Sequence, residues 1–158
     1  MFFHQSMPVI SRFIRPLVLG ALLAMLGTQA AEARNTKLIL PVDGVLSSSD
    51  AKQKLDGGVA FYFGKSHHPA VIKKFGNYAT NKKTNSFGKP DEEACNRAML
   101  SALITLQERA QKEGGNAVIN IESYYKKEPN SLNSEFECHA GGFVAGVALR
   151  GDVVKLAK

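Results

Sequence analysis

Residues 90–115 read PDEEACNRAMLSALITLQERAQKEGG and carry the clearest secondary-structure signal in the chain. Pro90 suits the start of a helix, and the acidic trio Asp91-Glu92-Glu93 complements the positive end of the helix dipole. The pair Gly114-Gly115 is typical of a helix end. The stretch therefore predicts one long helix from about Asp91 to Glu113.

One face of this helix is small and apolar. At 100° per residue, a single stripe collects Cys95, Ala98, Met99, Ala102, Leu103, Leu106 and Ala110. We expect this stripe to pack closely on a sheet. Leu100 and Ile104 fall on the opposite side, where either an N-terminal strap covers them or they form an interface with a partner.

The remaining sequence predicts strands around this helix. Residues 34–55 predict a strap over the core, with a short helix capped by the cluster Ser47-Ser48-Ser49-Asp50. β-Branched and aromatic runs predict strands over 59–63, 71–84, 117–125 and 134–154, the last with glycine-marked bends. We therefore predict an α+β fold, in which one long helix packs on a mainly antiparallel four-stranded sheet.

The N-terminal 33 residues have the pattern of a secretory signal peptide. Arg12 and Arg15 precede an apolar run over 17–26, and Ala31-Glu32-Ala33 matches a cleavage site. A run of about ten apolar residues is short for a membrane-spanning helix, which needs about 20; an uncleaved anchor is the alternative. We expect a periplasmic domain over 34–158, with no transmembrane segment after cleavage.

Cys95 and Cys138 are the two cysteines of the chain. In an exported protein such a pair predicts a disulfide, here one that staples the first turn of the helix to the sheet. A redox-active pair and a pair of metal ligands are the alternatives. The sequence contains no C-x-x-C motif, which favours the structural bridge.

The formal net charge is +6, and lysines are spread along the chain in pairs such as Lys73-Lys74, Lys82-Lys83 and Lys126-Lys127. No RNP, zinc-finger or Arg-rich signature accompanies them, so we expect no nucleic-acid partner. Lysines in strand-like sequence usually form a solvated face. Attraction to anionic lipid or to peptidoglycan remains open at this point.

The candidate metal ligands are His67, His68 and His139. Adjacent side chains in an extended loop point apart, so His67 and His68 would need a third ligand to hold zinc, copper or nickel. A solvent-facing loop without a cofactor is the favoured interpretation. Glu135 and Glu137 share one strand face, where we expect them to be solvated.

No motif in the sequence points to catalysis. A G-x-S-x-G elbow is missing, and both thiols are expected to be oxidised. We therefore predict that the protein is not an enzyme.

Three stretches together resemble a known group of proteins. They are DEEAC (91–95) leading into LQERA (106–110), GGNAVINI (114–121), and ECHA (137–140) continuing to GDVVKL (151–156). The set resembles small exported proteobacterial proteins that carry the label "excinuclease ATPase subunit". More distantly, it is similar to the family named for heavy-metal binding and to the disulfide-stapled domain of the outer-membrane Rcs stress-sensor lipoprotein.

These resemblances imply an α+β domain with one long helix on a mainly antiparallel sheet. The ATPase label implies a phosphate-binding G-x-x-x-x-G-K-[ST] loop, but Gly88-Lys89-Pro90 lacks both the preceding glycine and the Ser or Thr. The lipoprotein sensor has a lipid anchor and a second disulfide, and the two cysteines of this chain do not supply them.

Two functional hypotheses follow. The first is a non-catalytic periplasmic interaction or sensor module that engages an envelope protein or peptidoglycan. Its surface would be a sheet edge, the Leu100 and Ile104 patch, or the region of Tyr124 and Tyr125. The alternative is a weak transition-metal binder centred on His67 and His68, with His139 as a further ligand.

Overall fold

A computed structural model describes residues 33–158, which form one compact unit, Ala33–Lys158. The predicted signal peptide lies outside the described residues, apart from Ala33. Among the described residues, no helix combines the length and apolar character needed to cross a membrane.

Six strands and three α-helices make up this unit. In chain order they are β1 (Thr36–Pro41), α1 (Val42–Leu46), α2 (Ser49–Lys54), β2 (Ala60–Phe63), β3 (Val71–Asn85), α3 (Asp91–Glu113), β4 (Ala117–Ser123), β5 (Glu135–Ala140) and β6 (Val144–Leu156). A short 3₁₀ turn, Tyr125–Lys127, follows β4. The molecule is therefore α+β with one long helix, as predicted.

The long helix α3 has the predicted bounds. Gly114 ends it in the left-handed conformation, with φ of 81°, and donates its N–H to carbonyls of the last turn. Glycine adopts this conformation without the steric penalty of a Cβ atom. All seven residues of the predicted apolar stripe are buried, each with 1% exposure or less. The stripe is thus the helix side of the hydrophobic core.

The sheet differs from the prediction in strand number and in one pairing. It has six strands rather than four, with β6 at its centre. Strand β3 pairs with one side of β6, while β5 and β4 pair with the other side, all antiparallel. Beyond them, β1 is antiparallel to β5, and β2 is parallel to β4. The sheet is therefore mixed.

Two features explain the additional strands. Gly141-Gly142 reverses the chain, so the single strand predicted over 134–154 is in fact the two antiparallel strands β5 and β6. Residues Thr36–Pro41, predicted as part of a strap, form ladder hydrogen bonds with β5. Both outcomes depend on backbone pairing between distant segments, which local composition does not encode.

The predicted disulfide joins Cys95 to Cys138, with a Cα–Cα distance of 5.8 Å. Cys95 lies in the first turns of α3, and Cys138 lies on β5 between Phe136 and Ala140, which also face the core. The bridge therefore connects the helix directly to the sheet beneath it.

The strap covers the other side of α3. Ser48 caps α2, as the serine cluster predicts, by accepting a hydrogen bond from the N–H of Ala51 at 3.1 Å. Val42, Val45 and Ala51 are buried in the same core cluster as Leu100.

Candidate functional site

We refer to the face of the sheet turned away from α3 as the open face; it carries polar networks and a small apolar cluster of Ala117, Ile119, Val154 and Leu156. Side chains alternate between the two faces of a strand. On β5, Phe136, Cys138 and Ala140 belong to the core cluster, so Glu137 and His139 point to the open face. On β6, the residues alternating with the core side chains are Gly146, Ala148, Arg150 and Asp152.

His139 is the centre of a hydrogen-bonded network on the open face. Its Nε2 lies 2.8 Å from Oε1 of Glu137, and its Nδ1 lies 3.1 Å from Oδ1 of Asn35. The imidazole stacks on the ring of Tyr125, with centroids 3.4 Å apart. Both ring nitrogens and one ring face of His139 are therefore in contact with protein groups.

Glu137, expected to be solvated, is instead buried, with 7% exposure. Its Oε2 accepts hydrogen bonds from Lys37 at 2.8 Å and from Asn130 at 2.9 Å. Burial raises the pKa of Glu137, but hydrogen bonds from Lys37, His139 and Asn130, with the charge of Lys37, outweigh it and lower the pKa to about 2. Glu137 is thus an ionised group that organises the side chains around it.

A second network surrounds Asp152 further along β6. Its carboxylate accepts hydrogen bonds from Asn77 at 2.9 Å and Asn120 at 3.0 Å, and it pairs with Lys74 at 2.9 Å. Burial raises the pKa of Asp152, but these contacts outweigh it and lower the pKa below its ordinary value. Asn120 has a left-handed φ of 53°. These contacts connect side chains of β3 and β4 to β6.

A groove of about 660 Å³ lies at the end of the open face where β5 and β6 meet. In the register of the sheet, Gly146 is paired with Lys83 on one side and with His139 on the other. Gly146 has no side chain and Ala148 has only a methyl group, so the space between Lys83 and His139 is open. The lining consists of Ala33, Arg34, Asn35, Asn81, Lys83, Tyr125, Lys126, His139, Gly141, Gly142, Phe143, Val144, Gly146 and Ala148.

We call this groove the basic groove because its charged lining residues are Arg34, Lys83 and Lys126. Arg34 is paired with Asp91 at 2.6 Å. Within residues 33–158, neither Lys83 nor Lys126 has a carboxylate oxygen within 4.0 Å. The ammonium group of Lys126 lies over the ring of Tyr125, 5.5 Å from its centroid, and Lys83 is exposed. The groove therefore presents positive charge to solvent.

The two predicted partner patches lie on opposite faces of the sheet. Tyr125 lines the basic groove, and Tyr124 lies beneath the guanidinium of Arg150 at 4.4 Å. Leu100 is buried, with 7% exposure, and Ile104 packs partly buried against the core. Leu100 also lines a second cavity of about 540 Å³, between the strap and the start of α3, where Asp50, Glu92 and Glu93 contribute acidic groups.

The predicted metal ligands are not brought together. His67 is exposed, and His68 lies in the same loop after β2, with its Nδ1 2.8 Å from the carbonyl oxygen of Pro69. In the sheet order, β4 and β6 separate β2 from β5, which carries His139. Across the described ranges, no group of three or more His, Cys, Asp or Glu side chains is positioned to hold a metal ion.

Sequence reasoning named His139 and Tyr125 but did not place Glu137, Asn35 or Lys83 in a site with them. Glu137 is two positions from His139 on one strand, and that spacing alone places both on the same face. Asn35 and Lys83 carry no such local signal, because only the pairing of β1 and β3 with distant strands brings them here. Comparisons of the chain with protein-family models, curated proteins and solved structures give no match.

Proposed function

We propose that this chain is a non-catalytic interaction module of the cell envelope, exported to the periplasm by its N-terminal segment. Its interaction surface is the basic groove, and its partner presents anionic groups there. The role is binding, because the groove offers the charges of Lys83 and Lys126, the amide of Asn35 and the rings of Tyr125 and His139.

The observation that carries this proposal is the charge of the groove. Lys83 and Lys126 have no carboxylate partner within the described part of the chain, whereas Arg34, the third cation of the groove, is paired with Asp91. Charges that a protein does not pair internally attract charged partners and speed their association. An anionic partner would supply the missing counter-charges.

The framework around the groove supports the same role. His139 forms one wall and is fixed by Glu137, Asn35 and Tyr125. The disulfide between Cys95 and Cys138 anchors β5, the strand that carries His139. A preorganised surface loses less conformational entropy on binding, so rigidity favours recognition.

Reversing the charge of the groove should release the protein from the envelope. In cells expressing the full chain, we expect the wild-type protein in the envelope fraction and the double variant Lys83→Glu/Lys126→Glu mainly in the soluble periplasmic fraction. The envelope-bound share should fall on the order of tenfold, because each exposed charge contributes up to about 1 kcal/mol. Added salt should release the wild-type protein in the same way.

The matched control is Lys52→Glu/Lys54→Glu, which reverses two exposed lysines of α2 outside the groove. This variant should remain with the envelope. Recovery of the wild-type protein from the cytosol would contradict export. Equal release of both variants would show that total charge, not the groove, determines the association.

A further inference from the structure

We propose that the anionic partner of the basic groove is the surface of a lipid bilayer, and that Phe87 and Phe143 insert into it. This inference rests on the proposed function and names the partner. Two features of the molecule support it: an exposed aromatic pair and the lysines of the groove that this pair borders.

The aromatic pair is formed by two turns. Phe87 lies between β3 and α3, Phe143 lies between β5 and β6, and their rings stack with centroids 5.4 Å apart and planes within 4°. Despite this contact, Phe87 is 66% exposed and Phe143 is 70% exposed. Val144, next in sequence, is 47% exposed. We call these three residues the aromatic tip, and its apolar area is directed outward.

Hydrogen bonds join the two turns that carry the aromatic tip. Ser86 is buried, donates its backbone N–H to the carbonyl of Phe143 at 3.0 Å, and donates its hydroxyl to the carbonyl of Gly141 at 3.0 Å. Arg34 donates to the same Gly141 carbonyl at 2.9 Å. These bonds reduce the backbone ordering that binding through the two turns would require.

The charges near the tip favour an anionic surface on the groove side. Phe143 and Val144 line the basic groove together with Lys83 and Lys126. Apolar insertion combined with nearby lysines is the pattern by which proteins bind anionic lipid, since both contributions add.

The nearby carboxylates at the start of α3 do not oppose this arrangement. Asp91 is neutralised by Arg34, and Glu93 is paired with Arg97 at 2.9 Å. Glu92 and Glu93 line the other cavity, under the strap, and not the basic groove. The basic groove that Phe143 and Val144 border is therefore lined by cations and not by these carboxylates.

Vesicle flotation tests this inference. The processed protein, purified from the periplasm, is mixed with vesicles of phosphatidylethanolamine and phosphatidylglycerol, and separately with vesicles of phosphatidylcholine. We expect flotation with the anionic vesicles only. Phe87→Ser/Phe143→Ser should weaken the association on the order of tenfold or more, because each ring that inserts would lose its apolar burial in the bilayer.

A matched control uses two other exposed hydrophobic residues. Val71 and Ile72 are 43% and 68% exposed at the start of β3, outside the aromatic tip. Val71→Ser/Ile72→Ser should float as the wild-type protein does. Unfolding midpoints of both double variants confirm that each is folded.

A second measurement does not depend on loss of binding. The chain contains no tryptophan, so Phe143→Trp introduces a single fluorescent reporter at the tip. Its emission should shift to the blue with anionic vesicles, whereas Ile72→Trp should not shift.

Two results would overturn the inference: failure of the wild-type protein to float with anionic vesicles, or flotation that the Phe87 and Phe143 changes leave intact. If vesicles bind nothing while Lys83→Glu/Lys126→Glu still releases the protein from the envelope, the partner is a different anion. The proposed function then stands and the membrane inference fails. If the protein binds vesicles but Lys83→Glu/Lys126→Glu does not release it from the envelope in cells, then the basic groove is not the surface that holds the protein at the envelope.

Discussion

Glu137 organises the polar face of the sheet at the scale of single residues. It brings together Lys37 from β1, Asn130 from the loop before β5, and His139 from its own strand. A carboxylate with this little exposure is tolerated only when its oxygens are paired, and here they are. The position of His139 in the basic groove therefore depends on the ionised state of Glu137.

This dependence predicts a specific pH effect. The pKa of Glu137 is lowered from 4.5 to about 2, so its ionised form stabilises the folded protein above the pKa of the unfolded chain. That stabilisation is lost as the pH falls from 4.5 to about 2. Glu137→Gln should be less stable than wild type at neutral pH, and the difference should shrink across this window.

The measurement is urea unfolding at a series of pH values. Glu135→Gln serves as the control, because Glu135 is exposed on the same strand. The free energy of unfolding of Glu135→Gln, plotted against pH, should run parallel to that of wild type. If the free energy of unfolding of Glu137→Gln differed from that of wild type by the same amount at every pH, the charge of Glu137 would not be what stabilises the network.

At the scale of secondary-structure elements, helix α3 supplies much of the hydrophobic core. Alanines 98, 102 and 110 let the helix approach the sheet closely, while Met99, Leu103 and Leu106 fill the space between them. Interior packing of this density leaves little room for rearrangement when a side chain is removed. The helix therefore covers the face of the sheet opposite the one that carries the basic groove.

Truncating the helix face should cost substantial stability. Leu103 is fully buried, so Leu103→Ala should lower the free energy of unfolding by about 2–5 kcal/mol, from lost burial and from the cavity left behind. Urea denaturation measures the change. Glu108 is exposed on the same helix, and Glu108→Ala should change stability by no more than about 0.5 kcal/mol. Equal effects of the two variants would contradict this orientation of the helix.

The disulfide acts at the scale of the whole molecule. It closes a loop of 43 residues that contains most of α3, all of β4 and part of β5. Closing this loop restricts the unfolded chain, which raises the stability of the folded state relative to it. The same bridge anchors the strand that carries Glu137 and His139.

Removal of the bridge should lower stability by about 4 kcal/mol, as expected for a loop of this length. The variant Cys95→Ala/Cys138→Ala is compared with wild type by urea denaturation, with and without reductant. Reductant should weaken the wild-type protein and leave the variant unchanged. An intact mass of the wild-type protein without the two-hydrogen deficit of a disulfide would contradict the bridge itself.

Local patterns in the sequence determined the parts of this protein that need no distant partner. The spacing of small and apolar residues gave the bounds and buried face of α3, because a helix satisfies its backbone hydrogen bonds within itself. The Ser48 cap and the pairing of the two cysteines followed from equally short arguments. The export signal and the envelope role remain predictions from the sequence.

Tertiary structure alone decided the sheet and the site. A strand satisfies its hydrogen bonds with other segments, so the division of 134–154 into β5 and β6, and the pairing of β1 with β5, could not be derived locally. The contact between Asn35 and His139 spans 104 residues of sequence. The basic groove exists because folding brings such distant residues to one end of the sheet, and that proximity is a property of the strand pairing.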